Sequence, residues 1–530
     1  MREKHIRLSI SELKKNVWLL ACLLIITIVF LALGVRKDIW FCDEVYTYES
    51  ANSGRESSYT PINDGEWVLG SDITKHLAAD TRGLNFKIIE TWLYTDHVPL
   101  YFFIFRVVSL LAYGSCSKWI GLSINLLFYW IFSIFVYKSL EKVSLNSIFT
   151  FGATTAIVLH PVVLSQATTI RMYMMLVTLI FALMIEAIKR EYTFKDFILI
   201  ASCMLGGLLC HYYFWAWAAI FSAILIIWLI SNKKFKSAIA YIFACIIAFA
   251  GTIKIYPACL NRTILDTNSK AMSTFNNVFS FNKFFERIKA TYRIVLQILC
   301  IKSTIGAVLF VVCVCAIIAL YIWKCKEKSM ALIMLFSAGS YAVIIGYISI
   351  ALAERYLWAS VTLLLFCIVY MLMWDVKWIY QSKRVFLRPM KILSAMILGL
   401  LMIFCICNGL KEENIMYLYH RPIEEKVKIE ENANKPWLIF SNYTDWRLHC
   451  SYYDFQLAEK VKLIHIDERA QYDSYLSNAD EIVVYTYPEE KAIEDCLAFI
   501  EEAAGKDDLC YEQIGTSYEM VVYKVFQDGE

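Results

Sequence analysis

Apolar runs of about 20 residues, the length a helix needs to cross a bilayer, recur along the first 409 positions of this chain. They fall at 17–35, 119–137, 148–164, 172–188, 197–210, 214–230, 238–253, 304–323, 330–351, 357–373 and 392–409. Short polar turns separate most of them. One further run, 98–113, is shorter and carries Arg106. If it crossed the membrane, Lys138 and Lys142 would face outward, and so would every later basic loop. As an interfacial helix it lets the large basic clusters all face inward: Lys189/Arg190/Lys195, Lys233/Lys234/Lys236, Lys324/Lys326/Lys328 and Lys377/Lys383/Arg384/Arg388/Lys391. The first run follows Arg2, Lys4, Arg7, Lys14 and Lys15, so the N-terminus is expected in the cytoplasm. That run has no small-residue cleavage site and reads as a signal anchor.

Beyond residue 434 the pattern changes to short stretches rich in Val, Ile and aromatics. Strands are expected at 437–441, 461–467, 481–487 and 519–526, with helices at 447–460 and 489–504. The expected fold is mainly α: a polytopic transmembrane helical bundle of about eleven spans, with interfacial helices in the first outer loop and a small extracytoplasmic α/β domain. The expected domains are a membrane module over 1–409 (outer loop 36–118), a linker over 410–434 and the α/β domain over 435–530, with the C-terminus extracytoplasmic.

Composition agrees with a bilayer as solvent. Of 530 residues, 59% are hydrophobic and only 19% charged, against roughly 25% charged in soluble proteins. The net charge of +3 carries little by itself, and no basic patch points to nucleic acid. The 17 cysteines show no metal-type spacing, and many sit inside apolar runs. The expected outer segments include Cys42, Cys450, Cys496 and Cys510, and a disulfide among the last three stays open. Richness in Lys, Ile and Asn points to a bacterial plasma membrane.

The polar residues left on the outer face form a set. Asp43 and Glu44 follow the first span among aromatics that include Tyr46, where a carboxylate can take a proton or bind a metal. The plainer account is a pair of acids at a helix exit beside an aromatic belt. His97 opens the interfacial helix, with Pro99 in its first turn; it suits phosphate, metal or substrate, or only a polar helix start. Arg171 and Tyr173 begin a span at the outer edge, where a guanidinium suits a lipid phosphate or merely snorkels. His211 and Tyr212 sit in one outer turn, and Glu354, Arg355 and Tyr356 in another. Arg355 can reach a phosphate, or pair structurally with Glu354. Taken together they offer acids for proton transfer and cations for a leaving phosphate.

In this order the motifs resemble the GT-C membrane glycosyltransferases, especially the branch of protein mannosyltransferases and lipid A aminoarabinose transferases (glycosyltransferase family 39-like). Asp43-Glu44-x-Tyr46 is similar to the acidic motif of that family's first outer loop, and His97-Val98-Pro99-Leu100-Tyr101 to its His-Pro-Pro-Leu-Tyr. Gly114 and the span that follows fit what comes next there. Arg171-Met172-Tyr173 resembles its Arg-x-Tyr, and Glu354-Arg355-Tyr356-Leu357 its Arg-Tyr-Leu. The resemblance implies inverting transfer of a hexose or pentose from a polyprenyl-phosphate sugar to an acceptor glycan, lipid or protein. Asp43, rather than Glu44, is then the favoured general base. Arg171, Arg355, Tyr173 and Tyr356 would hold the donor phosphate, and His97, Tyr46, His211 and Tyr212 would line substrate or lipid. The chain departs from the family in Val98 and in the acid-free segment Ser165 to Ile170. No cofactor is required, and a divalent metal, if used, would fall to Asp43, Glu44 and His97.

Two other functions compete. A transporter or flippase of a lipid-linked precursor needs acids or prolines at mid-span, where these spans carry almost none. A non-catalytic scaffold displaying the C-terminal domain accounts for the tail but not for the outer polar set.

Overall fold

A computed structural model describes residues 2–53, 65–79, 98–189, 191–260, 284–325, 329–349, 352–382, 388–441, 446–465 and 468–527. The chain forms two compact units. The first comprises Met1–Leu31, Trp92–Tyr101 and Leu122–Met416; the second comprises Ala32–Thr91, Phe102–Gly121 and Tyr417–Glu530.

Helices in chain order are α1 (Arg2–Arg36), α2 (Cys42–Asn52), α3 (Leu100–Leu111), α4 (Lys118–Glu141), α5 (Ser147–Val158), α6 (Pro161–Thr168), α7 (Tyr173–Ala187), α8 (Phe194–Leu208), α9 (Tyr212–Ser231) and α10 (Phe235–Ile255). There follow α11 (Phe284–Ile298), α12 (Thr304–Lys324), α13 (Ser329–Ile348), α14 (Trp358–Gln381) and α15 (Arg388–Gly409). Among the described residues, 8 helices are long and apolar enough to cross a membrane, or 9 if α5 and α6 are one bent span. The protein is a multi-pass membrane protein. All eleven expected spans are helical, but the number long enough to cross is smaller. Helices α7 and α8 have 15 residues each, which rise only about 22 Å, against a hydrocarbon core of about 30 Å. Helix α3, with 12 residues, is likewise too short to cross.

The break between α5 and α6 turns the chain by 59°. Pro161 removes a helical N–H donor and disfavours helix at the residue before it. His160 then caps the second half, its Nδ1 accepting from the Val162 N–H at 3.2 Å. As a result 165–168, expected within an outer turn, continue as buried helix. Helix α15 ends against this corner. A Cβ on Gly409 would lie 1.6 Å from the Leu159 carbonyl oxygen, and backbone cannot move aside as a side chain can. Gly409→Ala is therefore expected to destabilise the helical unit by at least about 1–3 kcal/mol, read as a lower thermal midpoint in detergent.

The segment between α10 and α12 holds an unexpected helix. One face of α11 carries exposed Phe285, Lys289, Tyr292 and Arg293, while its Arg287 Nη1 donates to the carbonyls of Tyr347 and Ser349 at 2.6 and 2.7 Å. These bonds tie α11 to the end of α13.

The second unit is built on a six-stranded sheet: β1 (Trp67–Leu69), β2 (Pro436–Phe440), β3 (Lys460–Ile464), β4 (Glu481–Thr486), β5 (Leu509–Ser517) and β6 (Met520–Gln527), in the order β1-β3-β2-β4-β6-β5. Strands β3, β2 and β4 are parallel, and the other pairings are antiparallel. All five residues of β2 are buried, as befits a central strand covered on both faces. The four expected strands are present within a residue or a few of their bounds. Strand β5 was not expected, nor was β1, which the segment after α2 adds antiparallel to β3. Further helices of the second unit include α16 (Ile423–Glu431), α17 (Trp446–Cys450), α18 (Tyr452–Phe455), α19 (Ser474–Ser477) and α20 (Glu490–Ala504). The 410–434 segment, expected as a linker, thus contains α16. Its Glu425 accepts from the Thr516 N–H at 2.9 Å and its Lys428 pairs with Glu512 at 2.7 Å, both on β5.

Candidate functional site

In the second unit, α2 separates the two neighbouring acids. Glu44 is fully buried, and its Oε2 takes the Lys37 Nζ at 2.9 Å, with both side chains at 0% exposure. The same oxygen accepts the Phe41 N–H at 2.8 Å, closing the first turn of the helix. Lys37 also donates to the Tyr417 carbonyl at 2.9 Å. A carboxylate held this way is committed to the fold. Asp43, one position earlier, is only half-buried. Helical spacing puts Asp43, Tyr46 and Glu49 on one face.

That face meets two histidines that sequence reasoning did not find. Glu49 Oε1 lies 3.1 Å from His76 Nε2 and 4.0 Å from His449 Nδ1, and the Tyr46 ring meets the His449 ring edge-on at 5.1 Å. Glu49 is fully buried, and the His76 ring gives its carboxylate a hydrogen-bond partner in place of water. Burial, followed by the nearby Cys42, Glu49, Cys450 and Asp43, pushes the Tyr46 hydroxyl above its usual value. It therefore stays a neutral hydrogen-bond donor near pH 7. Glu49 could have been singled out by its place on the Asp43 face. His76 and His449 have no local signal, because they arrive from distant parts of the chain.

The helix is anchored at both ends. Tyr48 donates to the Ser117 carbonyl at 2.6 Å and packs between Trp40 and Phe105. Arg106, buried in α3, donates to the Asn52 carbonyl at 3.1 Å, at the end of α2. Cys450 lies against Cys42, and Cys496 donates to the Thr486 hydroxyl; all 17 cysteines are free thiols.

In the first unit the cationic and aromatic candidates form a chain. Arg171 follows α6, is 7% exposed, and its N–H donates to the Thr169 carbonyl at 2.7 Å. Asn125 of α4 holds this segment, donating to the Ala167 and Thr169 carbonyls at 3.0 and 2.6 Å while accepting from Tyr101 at 3.1 Å. Tyr173 lies 5.9 Å from the His211 ring, His211 lies 5.0 Å from Tyr213, and Tyr213 meets Tyr356 edge-on at 4.9 Å. The Arg355 guanidinium covers Tyr356 at 5.2 Å. His211 also caps α9, its Nδ1 accepting the Tyr213 N–H at 3.0 Å. Tyr213 rather than Tyr212 therefore bridges His211 and Tyr356. Tyr212 points elsewhere, its hydroxyl 2.6 Å from that of Tyr256. Asn125 escaped sequence reasoning because a lone Asn inside an apolar run reads as a packing residue. Asn125→Ala is expected to cost about 1–3 kcal/mol, by removing the amide donor to the buried Ala167 carbonyl and one of the two donors to the Thr169 carbonyl, read as a lower thermal midpoint in detergent.

His97 lies outside the described residues. Among the described residues, no three His, Cys, Asp or Glu side chains converge to hold a metal ion.

No protein-family model matches the chain, and no curated protein matches it. Solved structures similar to it include ArnT from Cupriavidus metallidurans bound to undecaprenyl phosphate, at 10% identity over 96% of this chain and 97% of that one, with a TM-score of 0.45. The same protein in its apo state gives 9% identity over 96% and 98%, with a TM-score of 0.46. The Archaeoglobus fulgidus oligosaccharyltransferase tethered with an acceptor peptide gives 10% identity over 92% of this chain and 71% of that one, with a TM-score of 0.44. Both proteins are GT-C membrane glycosyltransferases.

Proposed function

We propose that this chain is a membrane glycosyltransferase that moves a sugar from a polyprenyl phosphate to an acceptor hydroxyl at the outer face, with inversion. The observation that carries this reading is the division of labour in the acid pair. Glu44 is spent on Lys37 and the helix start, whereas Asp43 keeps a half-exposed carboxylate beside the Tyr46 phenol. In the proposed reaction Asp43 takes the acceptor hydroxyl proton as its oxygen attacks the anomeric carbon. The bond from that carbon to the phosphate oxygen breaks, and the electron pair leaves with the lipid phosphate. Arg171 and Arg355 neutralise that charge, and Tyr173 and Tyr356 flank them. A sugar on phosphate already has a good leaving group, so proton removal and charge neutralisation suffice without a metal.

The test is to incubate the purified protein with a panel of polyprenyl-phosphate sugars and measure released lipid phosphate. Release with at least one donor, lost in Arg171→Ala and Arg355→Ala, is expected. No release with any donor, alongside translocation of the intact lipid, would establish a flippase instead.

A further inference from the structure

The second unit contains a crevice that includes none of the residues assigned to the transfer step. In the sheet, Leu438 and Phe440 of β2 and Ile482 and Val484 of β4 pack on the side of α19 and α20. On the opposite face Trp437 stacks on Tyr485 at 5.3 Å, and Phe455 of α18 meets Tyr485 edge-on at 5.1 Å. The chain therefore leaves β2 toward one face and leaves β3 and β4 toward the other. Where neighbouring parallel strands part in this way, a cleft opens outside their carboxyl ends, and open α/β sheets take ligands there.

Here the cleft has a volume of about 410 Å³, within the range of small-ligand sites. Phe440 and Thr486, the last residues of β2 and β4, lie at its base. Helix α20 forms one wall with Asp495, Phe499 and Glu502, and His465, Glu468 and Arg469 line it from the segment after β3. The Phe499 ring stands edge-on to Phe440 at 5.4 Å and 83° and is only half-buried. Asp495, Glu502 and Arg469 are exposed.

This lining selects among ligands. A phosphorylated ligand would meet more carboxylates than guanidinium groups. An apolar chain would desolvate the carboxylates with nothing in return. A pyranose suits all of it: its C–H face covers an aromatic ring, and its hydroxyls donate to Asp495 and Glu502 while accepting from Arg469. We infer that this crevice is a saccharide-binding subsite of the second unit, separate from the transfer chemistry. The acceptor glycan of the proposed reaction is its natural occupant, and that identity alone rests on the glycosyltransferase reading.

The experiment is saturation-transfer NMR on the full-length protein in detergent. The probes are the methyl glycosides of glucose, galactose, mannose and N-acetylglucosamine and their β-linked disaccharides. At least one is expected to bind, with affinity falling about tenfold or more in Glu502→Gln and in Arg469→Ala and unchanged in Asp43→Asn. Both crevice variants alter exposed residues, so folding is retained. Binding by none of the probes, or equal binding in wild type and both variants, overturns the subsite. Sugar transfer without crevice binding would sink the subsite and leave the enzyme standing. Crevice binding without transfer from any lipid-phosphate donor would do the reverse.

Discussion

Asp43→Asn is expected to lower sugar transfer by about 10²–10⁴-fold, the typical contribution of a positioned general base, while the protein still inserts and accumulates normally. The substitution is nearly isosteric, and the side chain is half-buried at the start of α2, so little stability is at stake. Its loss should appear in kcat, with the donor KM nearly unchanged, because the carboxylate acts on the acceptor proton rather than on the lipid phosphate. Lipid-phosphate release by wild type and variant at matched protein levels measures it. Undiminished transfer would remove Asp43 from the chemistry.

Glu44 should behave in the opposite way. Its partner Lys37 is as buried as it is, so neutralising one member leaves the other as an uncompensated charge. Glu44→Gln and Lys37→Met are each expected to cost about 3–5 kcal/mol, seen as a large drop in thermal midpoint and in membrane accumulation. The double variant Lys37→Met/Glu44→Leu should recover much of that loss, since removing both charges also removes the cost of desolvating them. Any protein that folds in Glu44→Gln should retain transfer, because Asp43 is intact. Stable Glu44→Gln protein with no transfer would exchange the roles of the two acids.

The contrast between these neighbours shows what a sequence can and cannot say. Asp43-Glu44 was readable as an acid pair at a helix exit. Nothing local separates the two, because their difference comes from Lys37 and from which side of α2 faces the interior. The Asn125 contacts to the Ala167 and Thr169 carbonyls have the same character. So does the approach of His76 and His449 to Glu49. Each joins residues far apart in the chain, and the amino acids involved have several commoner roles.

By itself the sequence determined that the chain crosses a membrane many times, that α3 is too short to be one of the crossings, and that an α/β sheet follows. These are consequences of side-chain hydropathy and of the 1.5 Å helical rise, which every local window carries. Tertiary structure alone decided that Trp67–Leu69, far upstream, joins the C-terminal sheet, and that 165–168 lie in buried helix beyond a bend at Pro161. It also decided that Glu44 is locked in a buried ion pair with Lys37, while Asp43 is only half-buried. Strand pairing and charge pairing depend on which distant groups meet. A strand of three residues and a pair of adjacent acids carry no local signal of their partners.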